Sequence, residues 1–173
     1  NNYYYNPVDG QGFHNHKAFG VHIEEDIIWA GTADGLNKGI IREDGCIDWY
    51  HYTTEDGLAG DWVIGIIPQY IDGQEFPRIW AISWDLVYDP HGLSYTDDNG
   101  DSWIQVNQFI EEEAKVYNLF FDTNIIYAST NEGLYESNIN DPQIWIKTDI
   151  PQNIIDEVGS EKVQTTLVFS DML

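Results

Sequence analysis

Basic side chains are scarce: 7 Lys plus Arg stand against 30 Asp plus Glu, a formal net charge of −23 at pH 7 over 173 residues. That shortage excludes nucleic acid as a partner, because a polyanion is bound mainly by exchanging its condensed counterions for clustered Lys and Arg. Anionic membrane surfaces are excluded for the same reason. Cysteine occurs once, as Cys46, so no intrachain disulfide can form, and a lone thiol beside a turn reads as an incidental small side chain. No stretch approaches the roughly 18 to 20 consecutive apolar residues of a membrane helix, and no basic segment followed by an apolar one opens the chain. Membrane insertion is therefore not expected. Position 1 is Asn rather than Met, which suggests a processed product or an excised piece from which any export signal is already gone. Helical patterning is also rare, confined to a turn or two at Ile110 to Val116 and Ile154 to Glu161.

Aromatic residues are plentiful. They make up 14% of the chain, with 7 Trp and 11 Tyr, within a hydrophobic total of 42%, too much core material for a disordered acidic tail. Three segments repeat: Ile27-Ile28-Trp29-Ala30-Gly31-Thr32, Arg78-Ile79-Trp80-Ala81-Ile82-Ser83 and Ile125-Ile126-Tyr127-Ala128-Ser129-Thr130. From Trp29 to Trp80 to Tyr127 the steps are 51 and 47 residues. Each segment leads to a Gly-Leu pair, at Gly35-Leu36, Gly92-Leu93 and Gly133-Leu134, and each unit closes with a Trp in an alternating stretch, at Trp49, Trp103 and Trp145. Each opens with a short apolar run, Phe19 to Ile23, Trp62 to Ile67 and Val116 to Phe121, bounded by turn residues and rich in β-formers. Four strands per unit follow, and four-stranded units of this length describe propeller blades. The expected architecture is all-β: an N-terminal loop over 1–17, blades over 18–53, 61–107 and 115–150, and the first strand of a fourth blade within 163–173, together part of a larger propeller.

The segment Thr96-Asp97-Asp98-Asn99-Gly100-Asp101-Ser102-Trp103 fits the Asp-box pattern at Thr96, Asp98, Gly100, Ser102 and Trp103, and so resembles the Asp-box (BNR-like) propeller repeats. An Asp accepting hydrogen bonds from its own turn, a Gly at positive φ and a covering Trp make physical sense of it. Ile28 to Asn37 and Tyr52 to Leu58 resemble instead the two-component-regulator propeller repeat. Both resemblances imply a β-propeller, usually extracytoplasmic in bacteria. Neither implies one activity, since such repeats occur in sialidases, xyloglucanase-type glycosidases, sortilin-like receptors, photosystem assembly factors and sensor ectodomains.

Candidate chemistry is thin. A sialidase grips its substrate carboxylate with three arginines, and only Arg42 and Arg78 exist here. Asp85 and Asp89 are candidate glycosidase carboxylates, in the one excursion where a unit departs from its repeat, with Trp84 and Tyr88 available to stack on a sugar. The simpler reading is an elaborated loop with solvated carboxylates. Asp97 and Asp101 cluster hard oxygen donors, but the Gly falls too early for an EF-hand, and the Asp-box accounts for them. His14 and His16 lie on the same side of an extended segment and would need a third ligand from elsewhere. No catalytic set or cofactor emerges, calcium being the one metal the acidity invites. The leading expectation is a non-enzymatic, extracytoplasmic binding or scaffolding segment that presents loops to a protein or glycan, with remaining blades supplied by a parent chain or other copies. The alternatives are a fragment of a carbohydrate-active glycoside hydrolase and the sensor ectodomain of a signalling protein.

A net charge this far from zero adds self-repulsion that divalent cations relieve. Millimolar calcium is expected to raise the unfolding midpoint modestly; equal midpoints in calcium and in chelator, read by calorimetry, count against any role for the ion.

Overall fold

The computed structural model describes residues 17–84 and 91–149. Its strands are β1 (Ala18–Glu24), β2 (Ile27–Thr32), β3 (Gly35–Ile41), β4 (Ile47–Tyr52), β5 (Val63–Gln69), β6 (Arg78–Ser83), β7 (Gly92–Thr96), β8 (Ile104–Gln105), β9 (Val116–Asp122), β10 (Ile125–Thr130), β11 (Gly133–Asn138) and β12 (Asp141–Thr148). Each pairs antiparallel with its sequence neighbour, giving three four-stranded sheets, β1–β4, β5–β8 and β9–β12. These are propeller-like blades, as the repeats require. The expected strand at 163–173 and most of the 1–17 loop lie outside the described residues, as does the segment Ile154 to Glu161.

The registers show how closely the units repeat. Trp29, Trp80 and Tyr127 sit opposite His22, Ile67 and Phe120 on their inner strands. Every inner strand skips one residue of its ladder near its start, between Ala18 and Gly20, between Val63 and Gly65, and between Val116 and Asn118. The closing tryptophans are equivalent too: Trp49 pairs with Gly39, Trp145 with Ser137, and Trp103 directly precedes Ile104, which pairs with Tyr95.

The chain divides into two compact units at Gln105/Val106. In the first, the first and second sheets bury Trp29, Leu36, Leu58, Val63, Ile79, Ala81 and Trp103 between them. Trp103 stands edge-on to Trp29, ring centres 6.0 Å apart and planes at 85°, and lies 5.8 Å from Tyr52. Edge-to-face rings contribute about 0.5–1.5 kcal/mol beyond the area they bury. The sheets approach this closely because Gly31 has no side chain: a Cβ there would sit 2.5 Å from the Val63 carbonyl oxygen.

The turn from β7 to Trp103 is closed from within. Asp98 Oδ1 accepts from Thr96 Oγ1 (2.7 Å) and from Ser102 N (2.9 Å), and Thr96 Oγ1 accepts in turn from Gly100 N (2.9 Å). Although partial burial pushes the Asp98 carboxyl up, the hydrogen bonds from Ser102 and Thr96 hold it below the usual carboxylate range. Gly100 has φ 92°, and a Cβ there would meet Tyr52 Oη at 2.8 Å and Trp29 Cη2 at 2.9 Å. Lys38 of β3 closes the turn from the neighbouring sheet. It is only 7% exposed, donates to the Asn99 carbonyl at 2.5 Å and lies 5.3 Å above the Trp29 ring. Burial lowers its pKa, opposed by the charges of Asp101 and Asp98.

The second unit contains the third sheet and α1 (Asn107–Glu111). The helix falls upstream of the expected Ile110 to Val116. Its anchor is Phe109, fully buried 5.0 Å from Trp145 and 5.4 Å from Tyr135, while Glu113 at φ 52° ends helical geometry and Val116 is already strand. One buried aromatic contact therefore outweighs the helix-forming run of Glu residues.

Asp98→Ala is expected to lower the stability of the first unit by about 1–2 kcal/mol, because the turn's donors can turn partly to water. Gly100→Ala, which adds both left-handed strain and a collision, should cost at least about 2 kcal/mol. Denaturant unfolding followed by tryptophan emission ranks the two; equal, negligible losses would contradict this account of the turn.

Candidate functional site

In a meander the connections alternate between the two ends of each sheet. The hairpin turns, including the Asp98 turn, close one end of the first unit. The other end gathers the Thr32–Gly35 turn, the 53–62 connection from β4 to β5 and Trp84, which follows β6.

That end is built rigidly. Thr53 caps a 3-10 turn over Thr54–Asp56, with Glu55 N donating to its hydroxyl and Thr53 N donating to Asp56 Oδ2 at 2.8 Å. Leu58 and Ala59 are buried; Ala59 N donates to Ser94 Oγ (2.6 Å), Gln105 Nε2 to the Leu58 carbonyl (2.8 Å) and Ser83 Oγ to the Gly60 carbonyl (2.8 Å). Asp61 is fixed at both ends, its carbonyl accepting from Gly35 N (2.5 Å) and Oδ1 from Thr54 N (2.7 Å). In the Thr32 turn, the Thr32 hydroxyl donates to the Gly35 carbonyl at 2.9 Å and accepts from Asp34 N. Thr130 and Gly133 repeat that motif in the third sheet, also at 2.9 Å.

On this frame stand aromatic rings and carboxylates. Phe19, 47% exposed, lies 6.1 Å from the half-buried Trp62. Trp84 donates its backbone N–H to the Trp62 carbonyl at 2.8 Å, which ties it to this aromatic surface. Beside it, His51 Nδ1 lies 2.9 Å from Asn37 Oδ1. Burial pushes the His51 pKa down, opposed by the charges of Asp34, Asp56 and Asp61. The imidazole is accordingly neutral near pH 7, amid three carboxylates.

The sequence-derived candidates divide sharply. Trp84 lies at this end, while Asp85, Tyr88, Asp89, His14 and His16 lie outside the described residues. Thr96, Asp98, Gly100, Ser102 and Trp103 form the opposite, structural end. Asp97 meets Arg78 bidentately, at 2.7 Å from Nε and 2.9 Å from Nη2, and the buried guanidinium stacks 4.8 Å from the Tyr95 ring. Its oxygens are thereby turned to an arginine. Asp101 is exposed beside Lys38. Among the described residues no three His, Cys, Asp or Glu side chains converge to hold a metal. Sequence reasoning missed Asp34, His51, Asp61 and Trp62. The signal for Asp34, Asp61 and Trp62 was present, because every second connection of a meander falls at the same end.

A neutral folded His51 binds fewer protons than its unfolded counterpart, so its contribution is complete above an unfolded pKa of about 6.5 and is lost as pH falls below it. The unfolding midpoint should drop between about pH 7 and 5.5, and His51→Gln should flatten that slope. An unchanged slope in the variant would place the proton uptake elsewhere.

No protein-family profile and no curated protein matches the sequence. Among solved structures, the chain is similar to the extracellular domain of a one-component system from B. thetaiotaomicron, at 18% identity with a TM-score of 0.54. The match covers 87% of this chain and 21% of that one, so this chain corresponds to about a fifth of its neighbour's length. At that identity the likeness shows the fold alone.

Proposed function

We propose that the chain is a non-enzymatic, extracytoplasmic binding segment of a propeller, and that its connection end recognises a glycan. The observation that carries this reading is the grouping at one rigid end of Phe19, Trp62 and Trp84 with Asp34 and Asp61. Aromatic faces pack on the apolar faces of sugar rings, and carboxylates accept hydrogen bonds from sugar hydroxyls, so the two side-chain types together suit a polyhydroxylated ligand. The Thr96 to Trp103 segment is read as a structural Asp-box turn, because its hydrogen bonds are internal and it lies at the far end. A second reading, the sensor ectodomain of a signalling protein, draws support from the extracellular one-component-system domain that shares the fold. The two are compatible, since a bound glycan can serve as a sensor's input.

Titration calorimetry against a panel of oligosaccharides of varied composition tests the proposal. The expected result is a saturable ligand whose affinity falls at least tenfold, about 1.4 kcal/mol, in Trp62→Ala with Trp84→Ala, and is unchanged in Tyr70→Ala at the opposite end. Loss of binding in Tyr70→Ala but not in the paired variant would move the site to the hairpin end.

A further inference from the structure

Asn99 and Gly100 form the one Asn-Gly pair in the sequence, and the fold favours the first residue and requires the second. Position 99 has φ 57°, in the left-handed region that Asn enters more readily than most side chains. Position 100 has φ 92° and lies against Tyr52 and Trp29, where a Cβ would collide with both rings, so only Gly fits. The turn that aims Trp103 into the neighbouring sheet thus sets a side-chain amide directly before the residue type that leaves its own nitrogen unshielded.

That pair is chemically unstable. Once it has lost its proton, the Gly100 nitrogen can attack Asn99 Cγ; the new N–C bond closes a five-membered succinimide, the Cγ–Nδ2 bond breaks and ammonia leaves. Water then opens the ring at either carbonyl, giving Asp at position 99 or isoaspartate, in which the main chain runs through Cβ and Cγ. Among the described residues no hydrogen bond holds the Asn99 side-chain amide. Its attacker, by contrast, is restrained: Gly100 is buried, and its N–H donates to Thr96 Oγ1 at 2.9 Å. Thr96 is itself fully buried and tied to Asp98 Oδ1 at 2.7 Å, so the acceptor cannot swing away. Attack has to wait until the turn opens.

We propose that Asn99 is a self-modification site of this chain, converted to Asp and isoaspartate at a rate set by opening of the Asp98 turn. The product acts on the contact that the turn builds. In isoaspartate the Asn99 carbonyl that accepts from Lys38 becomes a pendant carboxylate, and one extra main-chain carbon separates residues 99 and 100. Gly100 N and Ser102 N can then no longer reach Thr96 Oγ1 and Asp98 Oδ1 together, and a further negative charge stands beside Asp98 and Asp101. Conversion therefore loosens Trp103 from Trp29 and Tyr52.

The full chain, incubated in mildly alkaline buffer with and without denaturant, is mapped at intervals by peptide mass spectrometry for the change of amide to acid. Asn99 should convert first among the asparagines of the unfolded chain, and at least about tenfold more slowly in the folded one. Thr96→Val, which keeps the buried shape and removes the acceptor, should speed conversion of the folded chain several-fold at Asn99 and at no other asparagine. If that variant fails to fold, the wild type supplies the measurement: sub-denaturing urea should raise amide exchange at Gly100 and acid formation at Asn99 by the same factor. Converted chains, separated by their added charge, should unfold at a lower temperature than unconverted ones. Equal rates at Asn99 in folded and unfolded chain overturn the proposal, as does an unfolded chain in which other asparagines convert and Asn99 does not. Faster exchange at Gly100 with no faster conversion at Asn99 also overturns it.

Discussion

The edge-on contact of Trp103 with Trp29 embodies the constraint on which the first unit depends: a four-stranded antiparallel sheet with apolar side chains on both faces is stable only when each face is covered. Gly31 follows from that requirement, because only a bare backbone lets β2 approach the Val63 carbonyl closely enough for the two tryptophans to meet. So does the tight turn before Trp103, whose internal hydrogen bonds aim the indole into the neighbouring sheet. Lys38 is the polar counterpart of the same contact. Its aliphatic stem shares the apolar interface, and its ammonium satisfies the Asn99 carbonyl within reach of Asp98 and Asp101.

Because the hairpin end is used up in holding the sheets together, the connection end is where side chains remain available. The 53–62 segment ties its backbone to both sheets, which leaves Trp62, Asp61 and their neighbours on a fixed frame. Rigid backbone under exposed aromatic rings is the arrangement in which little ordering entropy is lost on binding. The acidity of the chain fits the same division of labour, since most carboxylates stand in turns and connections, where water and counterions solvate them.

Much of this was legible in the residues. The spacing of Trp29, Trp80 and Tyr127 marked three units, the Gly-Leu pairs marked the third strand of each, and Thr96 to Trp103 announced a self-bonded turn. Period and turn chemistry are local properties, and local properties survive in a sequence. The position of α1 was not legible, because Phe109 is held by Trp145 and Tyr135, residues far along the chain. Nor was the pairing of His51 with Asn37, which depends on strand register across a hairpin. The outer strand of the second sheet is confined to Ile104–Gln105, since Trp103 is drawn into the interface and Val106 already stands at the N-terminal boundary of the following helix.

The sequence by itself determined the all-β class, the three four-stranded units of the described residues, their turns and the scarcity of basic side chains. It could not distinguish Trp49, Trp103 and Trp145, which occupy equivalent places in equivalent strands. Only the tertiary structure decided that two of them are buried and one is open. Strand pattern is fixed by alternation along one segment, whereas burial is fixed by whatever lies on the other side of the sheet.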